Sequence, residues 1–398
     1  MAVAYRADRV IDGISDEHLE NAAVLVEDGR IVSFGPEANL PEDIEVVDLS
    51  DATLLPGLID AHVHLVWSAS AEPHVLVESE PRAVTALRCA DNMRKHLEAG
   101  VTTVRDVGST DGMAIDMSQA VQLGVLPGPR VVASGRSIAM TGGHGWFLGQ
   151  EADGPDAVRS AVRQEIKNGA GCIKFMASGG VYGHAEEPDS PQLTVDEMNA
   201  GVEEAHKAGK KVAAHAYGGE AITSALDAGV DSIEHGSFID QETAQRMRDL
   251  GTYLVPTMSV YAAMDEKGVE LGAPEYIQRK TKEVLAATRE ALRIAMEAGV
   301  KIAAGTDCGA PGHPHGTLPM ELELMVEAGA TPIQAIQFGT SAAAELLGLG
   351  EEIGTLEAGK QADLIAVGGD PLEDISNLRE VKLVVFNGVE MSVPLNGS

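Results

Sequence analysis

Cysteine and positive charge are both scarce in this chain. Its three cysteines in 398 residues, Cys89, Cys172 and Cys308, are odd in number and scattered. That excludes a disulfide-stapled scaffold and favours a reducing, cytoplasmic setting. No stretch approaches the ~20 uninterrupted apolar residues of a spanning helix, so no membrane segment is expected. The opening residues, 1–13, hold no basic region followed by an apolar core, so no secretory signal is expected either. Only 29 basic side chains oppose 61 acidic ones, a net charge of −32. Such a surface repels nucleic acid and anionic membranes. With 44% hydrophobic residues and mixed charge, the chain reads as globular.

What is present is an alternation. The segments 4–13, 22–35 and 44–50 read as short strands broken at Gly, Asp and Asn. The same texture returns at 354–371 and 381–392, with an Asn387–Gly388 turn signal. Two β-rich ends around a different middle suggest one small β-sandwich, 1–55 plus 358–398, built from both termini. Between them, apolar runs at 54–65, 101–108, 130–138, 172–180, 211–218, 232–238, 252–260 and 301–309 alternate with helical stretches, several ending in Ala-Gly or Lys-Asn-Gly. Repeated strand–helix units imply a parallel sheet, and eight of them predict an α/β fold of the (β/α)8 TIM-barrel type over 56–357. The longest loops, 141–153, 181–193 and 310–317, all follow strands on the C-terminal rim, where such a barrel keeps its chemistry.

Metal-type ligands fall at those strand ends. His62 and His64 alternate along the first strand and share a face. Lys174 ends the fourth, His215 the fifth, His235 the sixth and Asp307 the eighth. Each alone has an ordinary structural explanation: a core histidine, a buried ion pair for Lys174, a turn cap for Asp307. Their recurrence on five strand ends points to a divalent ion held by nitrogen and oxygen. His144 follows strand three between glycines, and Tyr217 shares the face of His215. His184, His313 and His315 read as surface or supporting groups rather than a third metal site. Arg105 and Asp106 read either as a supporting ion pair or as substrate contacts.

His-x-His after Pro56–Asp60, followed by lysine, histidine, histidine and aspartate on strands four, five, six and eight, resembles the amidohydrolase superfamily. The segments Cys172–Gly180, Ala214–Gly218, Ile233–Ser237 and Gly305–Asp307 narrow the likeness to its imidazolonepropionase-related branch. That branch includes prolidase-like and Xaa-Arg dipeptidase-like enzymes. The resemblance covers nearly the whole chain.

It implies two divalent ions, zinc by preference. His62, His64 and Asp307 would hold the inner ion, and His215 and His235 the outer one. Lys174, carboxylated by CO2, would bridge both. It further implies that Asp307 shuttles the proton, while His144 and Tyr217 contact the scissile carbonyl or the substrate carboxylate. The expected partner is a small molecule, a dipeptide or N-acyl amino acid cleaved beside its C-terminal residue, and the expected assembly is a homo-oligomer. The absence of a strong acid in 258–261 favours an apolar or proline-like C-terminal residue, with Asp265 and Glu266 as possible partners for a basic one. The alternatives are a cyclic-amide hydrolase of the imidazolonepropionase type and a non-catalytic metal-binding scaffold.

Overall fold

The computed structural model describes residues 2–36, 40–41 and 43–392. It opens with strands β1 (Val3–Val10), β2 (Leu19–Glu27), β3 (Arg30–Pro36) and β4 (Glu45–Pro56). Nine strands of the central region follow. They are β5 (Leu58–Val63), β6 (Val101–Asp106), β7 (Arg130–Ala133), β8 (Ser137–Ala139), β9 (Gly149–Glu151), β10 (Cys172–Met176), β11 (Lys211–Gly218), β12 (Ser232–Phe238) and β13 (Tyr253–Val255). The chain ends in β14 (Leu364–Gly368), β15 (Val381–Phe386) and β16 (Val389–Glu390).

Both ends meet in one sheet of order β16-β15-β14-β4-β1-β2-β3. Hydrogen bonding links all seven strands, and the two ends of the sheet also meet: the Ile31 N–H donates to the Lys360 carbonyl and the Ala362 N–H to that of Gly29, around a common core that includes Tyr5, Val24, Leu54, Leu364 and Val385. β4 is the hinge between the two parts of the molecule. Its first half faces solvent, while its last five residues are buried and run directly into β5.

The central strands form two parallel sheets, β5-β6-β7 and β13-β12-β11-β10-β8-β9. β5, β6 and β10 are buried at every position, as expected of strands covered by helices on one face and packed side chains on the other. The helices between them stop where the sequence places glycine. Gly169, Gly229, Gly251 and Gly299 all take left-handed backbone just past helices Pro155–Asn168, Gly219–Ala228, Gln241–Leu250 and Glu275–Ala298.

Two expected strands differ from the reading of the sequence. The third is broken: Gly135 turns with φ +72° between β7 and β8, and the Ser134 N–H turns to the carbonyl of Asp106. The two halves thereby join different sheets. The eighth, 301–308, is a string of isolated bonds rather than a regular strand. The Ala303 N–H bonds to Leu254 on one side, while Ala304 and His62 carbonyls accept from Ala61 and Asp307 on the other. At the end of this segment Asp307 takes a φ of +55°, outside the extended region.

The terminal sheet is locked to the central region by Arg130 at the start of β7. Its guanidinium donates to Thr103 at 2.9 Å, Asp363 at 2.6 Å, Asn387 at 3.1 Å and also Gln361. The Asp363 carboxylate is buried. Removing the arginine leaves it the Asn387 N–H at 2.8 Å but no counter-charge, and loss of one partner of a buried pair is costly. Arg130→Ala should therefore lower unfolding stability by about 2–4 kcal/mol, read as a lower urea midpoint. Asp363→Asn in that background should recover part of the loss.

Candidate active site

The local structure explains how the side chains meet. His62 lies near the end of β5 and His64 just past it. Lys174 is the middle residue of β10, His215 lies in β11 and His235 in β12. Register brings Met176 opposite His215 and Ala216 opposite His235. All six predicted ligand residues line one small cavity of about 30 Å³, together with His144, Tyr217 and Tyr261. Two of the six hold strained backbone: φ is +70° at His235 and +55° at Asp307. Non-glycine residues persist in that region only where the surroundings over-determine them, and such strain gathers at functional sites.

Each of the four histidines is anchored by one ring nitrogen. His62 Nδ1 meets Glu234 Oε2 at 2.7 Å, His64 Nδ1 meets the Gly108 carbonyl at 2.9 Å and His215 Nε2 meets the Gly179 carbonyl at 2.9 Å. A carbonyl or carboxylate can only accept, so these three nitrogens carry the proton. The opposite nitrogens therefore present lone pairs. His62 Nε2 and His64 Nε2 lie 3.7 and 3.4 Å from Asp307 Oδ1. His215 Nδ1 faces His235 Nε2 at 2.9 Å, while His235 Nδ1 is held by the Thr257 and Tyr261 hydroxyls at 2.7 and 2.9 Å. Outer nitrogens tied to protein, inner nitrogens converging: this is how metal-binding imidazoles are oriented.

Burial sets the electrostatics in the same direction. It pushes His62, His215 and His235 well below their ordinary pKa and His64 down to about 3, aided by the charge of Lys174. All four are thus neutral, the form that binds metal. Burial raises Asp307 and lowers Lys174, while attraction between the two partly offsets both shifts. A lysine held toward its free amine can react with CO2. Asp307 Oδ1 is buried with no hydrogen-bond partner among the described residues. Neutral imidazoles, an orphaned carboxylate oxygen and a depressed lysine are a donor set suited to divalent cations.

The residues missed in the sequence lie behind these. Glu234, next to His235, accepts from Arg105 at 2.8 and 3.0 Å, from Ser232 at 2.5 Å and from His62. Arg105 is thus a supporting group, paired with Glu234. Asp106 turns elsewhere, taking N–H bonds from Leu65 and Gly108. Neither lines the cavities. Asp60, inside the Pro56–Asp60 motif, accepts from the Thr306 N–H and hydroxyl and from the His62 N–H, tying the first ligand strand to the segment of Asp307. Burial raises Asp60 and Asp106 to about 7. One signal for Glu234 was available: an acid inside an apolar strand needs a buried partner, although nothing local names Arg105 as that partner.

His144 and Tyr217 reach the same cavity. His144 stacks on His215, with ring centroids 4.4 Å apart, and its Nδ1 meets Glu186 Oε1 at 2.7 Å. Burial raises the Glu186 carboxyl, but the bonds from His144 and Gln192 outweigh it and hold it below its usual range. Tyr217 stacks on His235 and bonds the Tyr261 hydroxyl at 2.6 Å. Outside lies a chamber of about 870 Å³, sharing His144, Gly145, Phe147, Tyr182 and Met264 with the inner cavity. Its walls include Met140, Trp146, Leu271 and Ile277. Asp265 and Glu266 are exposed and line neither space, so they offer a basic substrate nothing. His313 and His315 are buried rather than at the surface.

The sequence profile of the Amidohydrolase family matches residues 53–391. The chain belongs to this family. It is similar to the ochratoxinase of Aspergillus niger, 33% identical over 92% of this chain and 82% of that protein. The imidazolonepropionase of Acidiphilium cryptum is 26% identical over 90% and 89%, consistent with the imidazolonepropionase-related branch. Among solved structures, a Xaa-Pro dipeptidase with bound methionine in its active site superposes with a TM-score of 0.91, at 36% identity over 98% of this chain and 100% of that one. A prolidase complexed with N-methylphosphonate-L-proline gives a TM-score of 0.91 at 32% identity, over 98% and 99%. As a family member with hydrolase neighbours of this kind, the chain is a hydrolase acting on amide bonds.

Glu234 serves both Arg105 and His62 inside the protein. Glu234→Gln, which keeps the shape but removes the anion, should cost about 3–5 kcal/mol because Arg105 stays buried and unpaired. Asp116→Asn, breaking the half-exposed pair with Arg82, should cost about 0–1 kcal/mol. Comparable urea midpoints for the two variants would contradict this ranking.

Proposed function

We propose that this chain is a binuclear metal-dependent peptidase or amidase that cleaves a dipeptide, or an N-acyl amino acid, beside its C-terminal residue. The observation that carries the reading is the inward convergence of four anchored imidazoles on Asp307 and Lys174. His62, His64 and Asp307 would hold one divalent ion, and His215 and His235 the second. Lys174, carboxylated on its amine by CO2, would bridge them. Zinc is the expected metal, since nitrogen and carboxylate donors at open sites suit it. The same reading takes the two parallel sheets as one eight-stranded barrel, with 301–308 as the last stave between β13 and β5.

Bound there, the ions supply Lewis acidity and an activated water. The protein does the rest. Asp307 accepts the proton as water oxygen bonds to the amide carbon, then delivers it to the leaving nitrogen as the C–N bond breaks. His144, steadied by Glu186, and Tyr217, steadied by Tyr261, bind the scissile carbonyl or the substrate carboxylate. The outer chamber takes the part of the substrate that extends beyond the inner cavity, and its aromatic and aliphatic walls suit apolar groups. The Xaa-Pro dipeptidase and prolidase neighbours support an apolar or proline-like C-terminal residue. The imidazolonepropionase relatives support a second reading, hydrolysis of a cyclic amide.

The zinc-loaded protein, assayed on a library of Xaa-Xaa dipeptides and N-acyl amino acids, should release the C-terminal residue. Turnover of imidazolone propionate with no dipeptide cleaved would favour the second reading, and bound metal with no turnover would favour a scaffold. Asp307→Asn should lower kcat by about 10²–10⁴-fold, and Glu186→Gln should lower it less, with metal content kept. Chelation should abolish turnover and added zinc restore it.

A further inference from the structure

Behind Asp307 lies a second convergence of ligand atoms, which the reaction does not use. His96, on helix Arg82–Glu98, His315, in the loop after strand eight, and Cys308, beside Asp307, are all buried. His96 Nε2 lies 3.1 Å from His315 Nδ1, and Cys308 Sγ lies 3.1 Å from His315 Nδ1 and 3.6 Å from His96 Nε2. With Zn–N near 2.05 Å and Zn–S near 2.3 Å, tetrahedral coordination separates two nitrogens by about 3.3 Å and a sulfur from a nitrogen by about 3.6 Å. The His96–His315 and His96–Cys308 distances lie within a few tenths of those spacings, and the Cys308–His315 distance about half an ångström inside.

Proton bookkeeping points the same way. His315 Nε2 faces the Trp67 carbonyl at 3.1 Å, so it carries the hydrogen and Nδ1 is a lone pair. If His96 Nε2 is protonated, it and the Cys308 thiol both aim at that single lone pair. If it is not, two nitrogen lone pairs oppose each other across 3.1 Å. His96 Nδ1 finds no partner among the described residues in either case. A cation accepts all three donors at one point, and the Trp67 carbonyl then serves as the outer anchor of a ligating imidazole. The backbone is shaped to allow the approach. A Cβ at Gly309 would come within 3.0 Å of His315 Nε2 and 2.5 Å of Trp67 Cβ, and one at Gly316 within 2.6 Å of the Lys95 carbonyl.

We propose that His96, Cys308 and His315 form a separate site for a borderline-soft divalent ion, zinc or cobalt, that staples the segment after Asp307 to helix Arg82–Glu98. One sulfur and two nitrogens select such ions over magnesium or calcium. The thiol proton is released on binding. The proposal is independent of the hydrolase reading, since an inactive chain would still carry this site.

Cobalt substitution tests it, because the other candidate ligands contain no sulfur. The full-length protein, stripped and saturated with Co2+, should show a thiolate-to-cobalt charge-transfer band in the near ultraviolet. Cys308→Ser should lose that band and one equivalent of metal, keep the remaining equivalents and keep its circular dichroism. His315→Gln should weaken metal binding at this site at least tenfold by competition with a chelating dye, and carries the mutational arm if Cys308→Ser does not fold. A saturated wild-type protein without the band overturns the proposal outright. So does a band that survives Cys308→Ser, which would assign it to Cys89 or Cys172.

Discussion

Acceptors that cannot donate decide the chemistry of this protein. The carboxylate of Glu234 and the carbonyls of Gly108 and Gly179 take the hydrogens of His62, His64 and His215. Each imidazole is thereby left with its lone pair turned inward. Burial does the remaining work by keeping the rings neutral and pressing Asp307 and Lys174 toward uncharged forms. In water such a cluster would be unremarkable. In a dry cavity, converging lone pairs and an orphaned carboxylate oxygen are costly unless something electropositive joins them. The proposed metal centre follows from that constraint more than from any single motif.

The support behind the ligands is as specific as the ligands themselves. Asp60 clasps Thr306 and the backbone of His62, Asp106 clasps Leu65 and Gly108, and Arg105 neutralises Glu234. These contacts connect β5, β6, β12 and the segment of Asp307 across the interior. They also explain how His235 and Asp307 keep left-handed backbone: rigid neighbours on several strands leave them no relaxed alternative. A site arranged in this way is positioned by its scaffold, while His144 and Glu186 sit on rim loops that can vary with substrate.

Much of this was legible in the sequence. Alternating apolar and helical segments revealed the parallel sheets, because strands covered on both faces must read as unbroken apolar runs. Six of the residues that line the inner cavity stood out because polar groups interrupt those runs at their ends. What stayed hidden depended on pairing across long distances. Nothing local tells whether Arg105 meets its neighbour Asp106 or the distant Glu234. The split of strand three at Gly135 and the irregular 301–308 segment were equally hidden, since bending and positive φ are imposed by tertiary contacts. His315 read as a loop residue because flanking glycines and Pro314 signal a turn, but not that the turn folds inward.

In the proposed centre, Lys174 would join four imidazoles and one aspartate around two cations. Anomalous diffraction at the zinc edge from crystals of the zinc-loaded protein tests it most directly. Within the inner cavity, one peak is expected among His62, His64 and Asp307, a second beside His215 and His235, and carboxylated Lys174 density between them. A cavity without anomalous signal in fully loaded protein, or a bare Lys174 amine turned away from both histidine pairs, would contradict it.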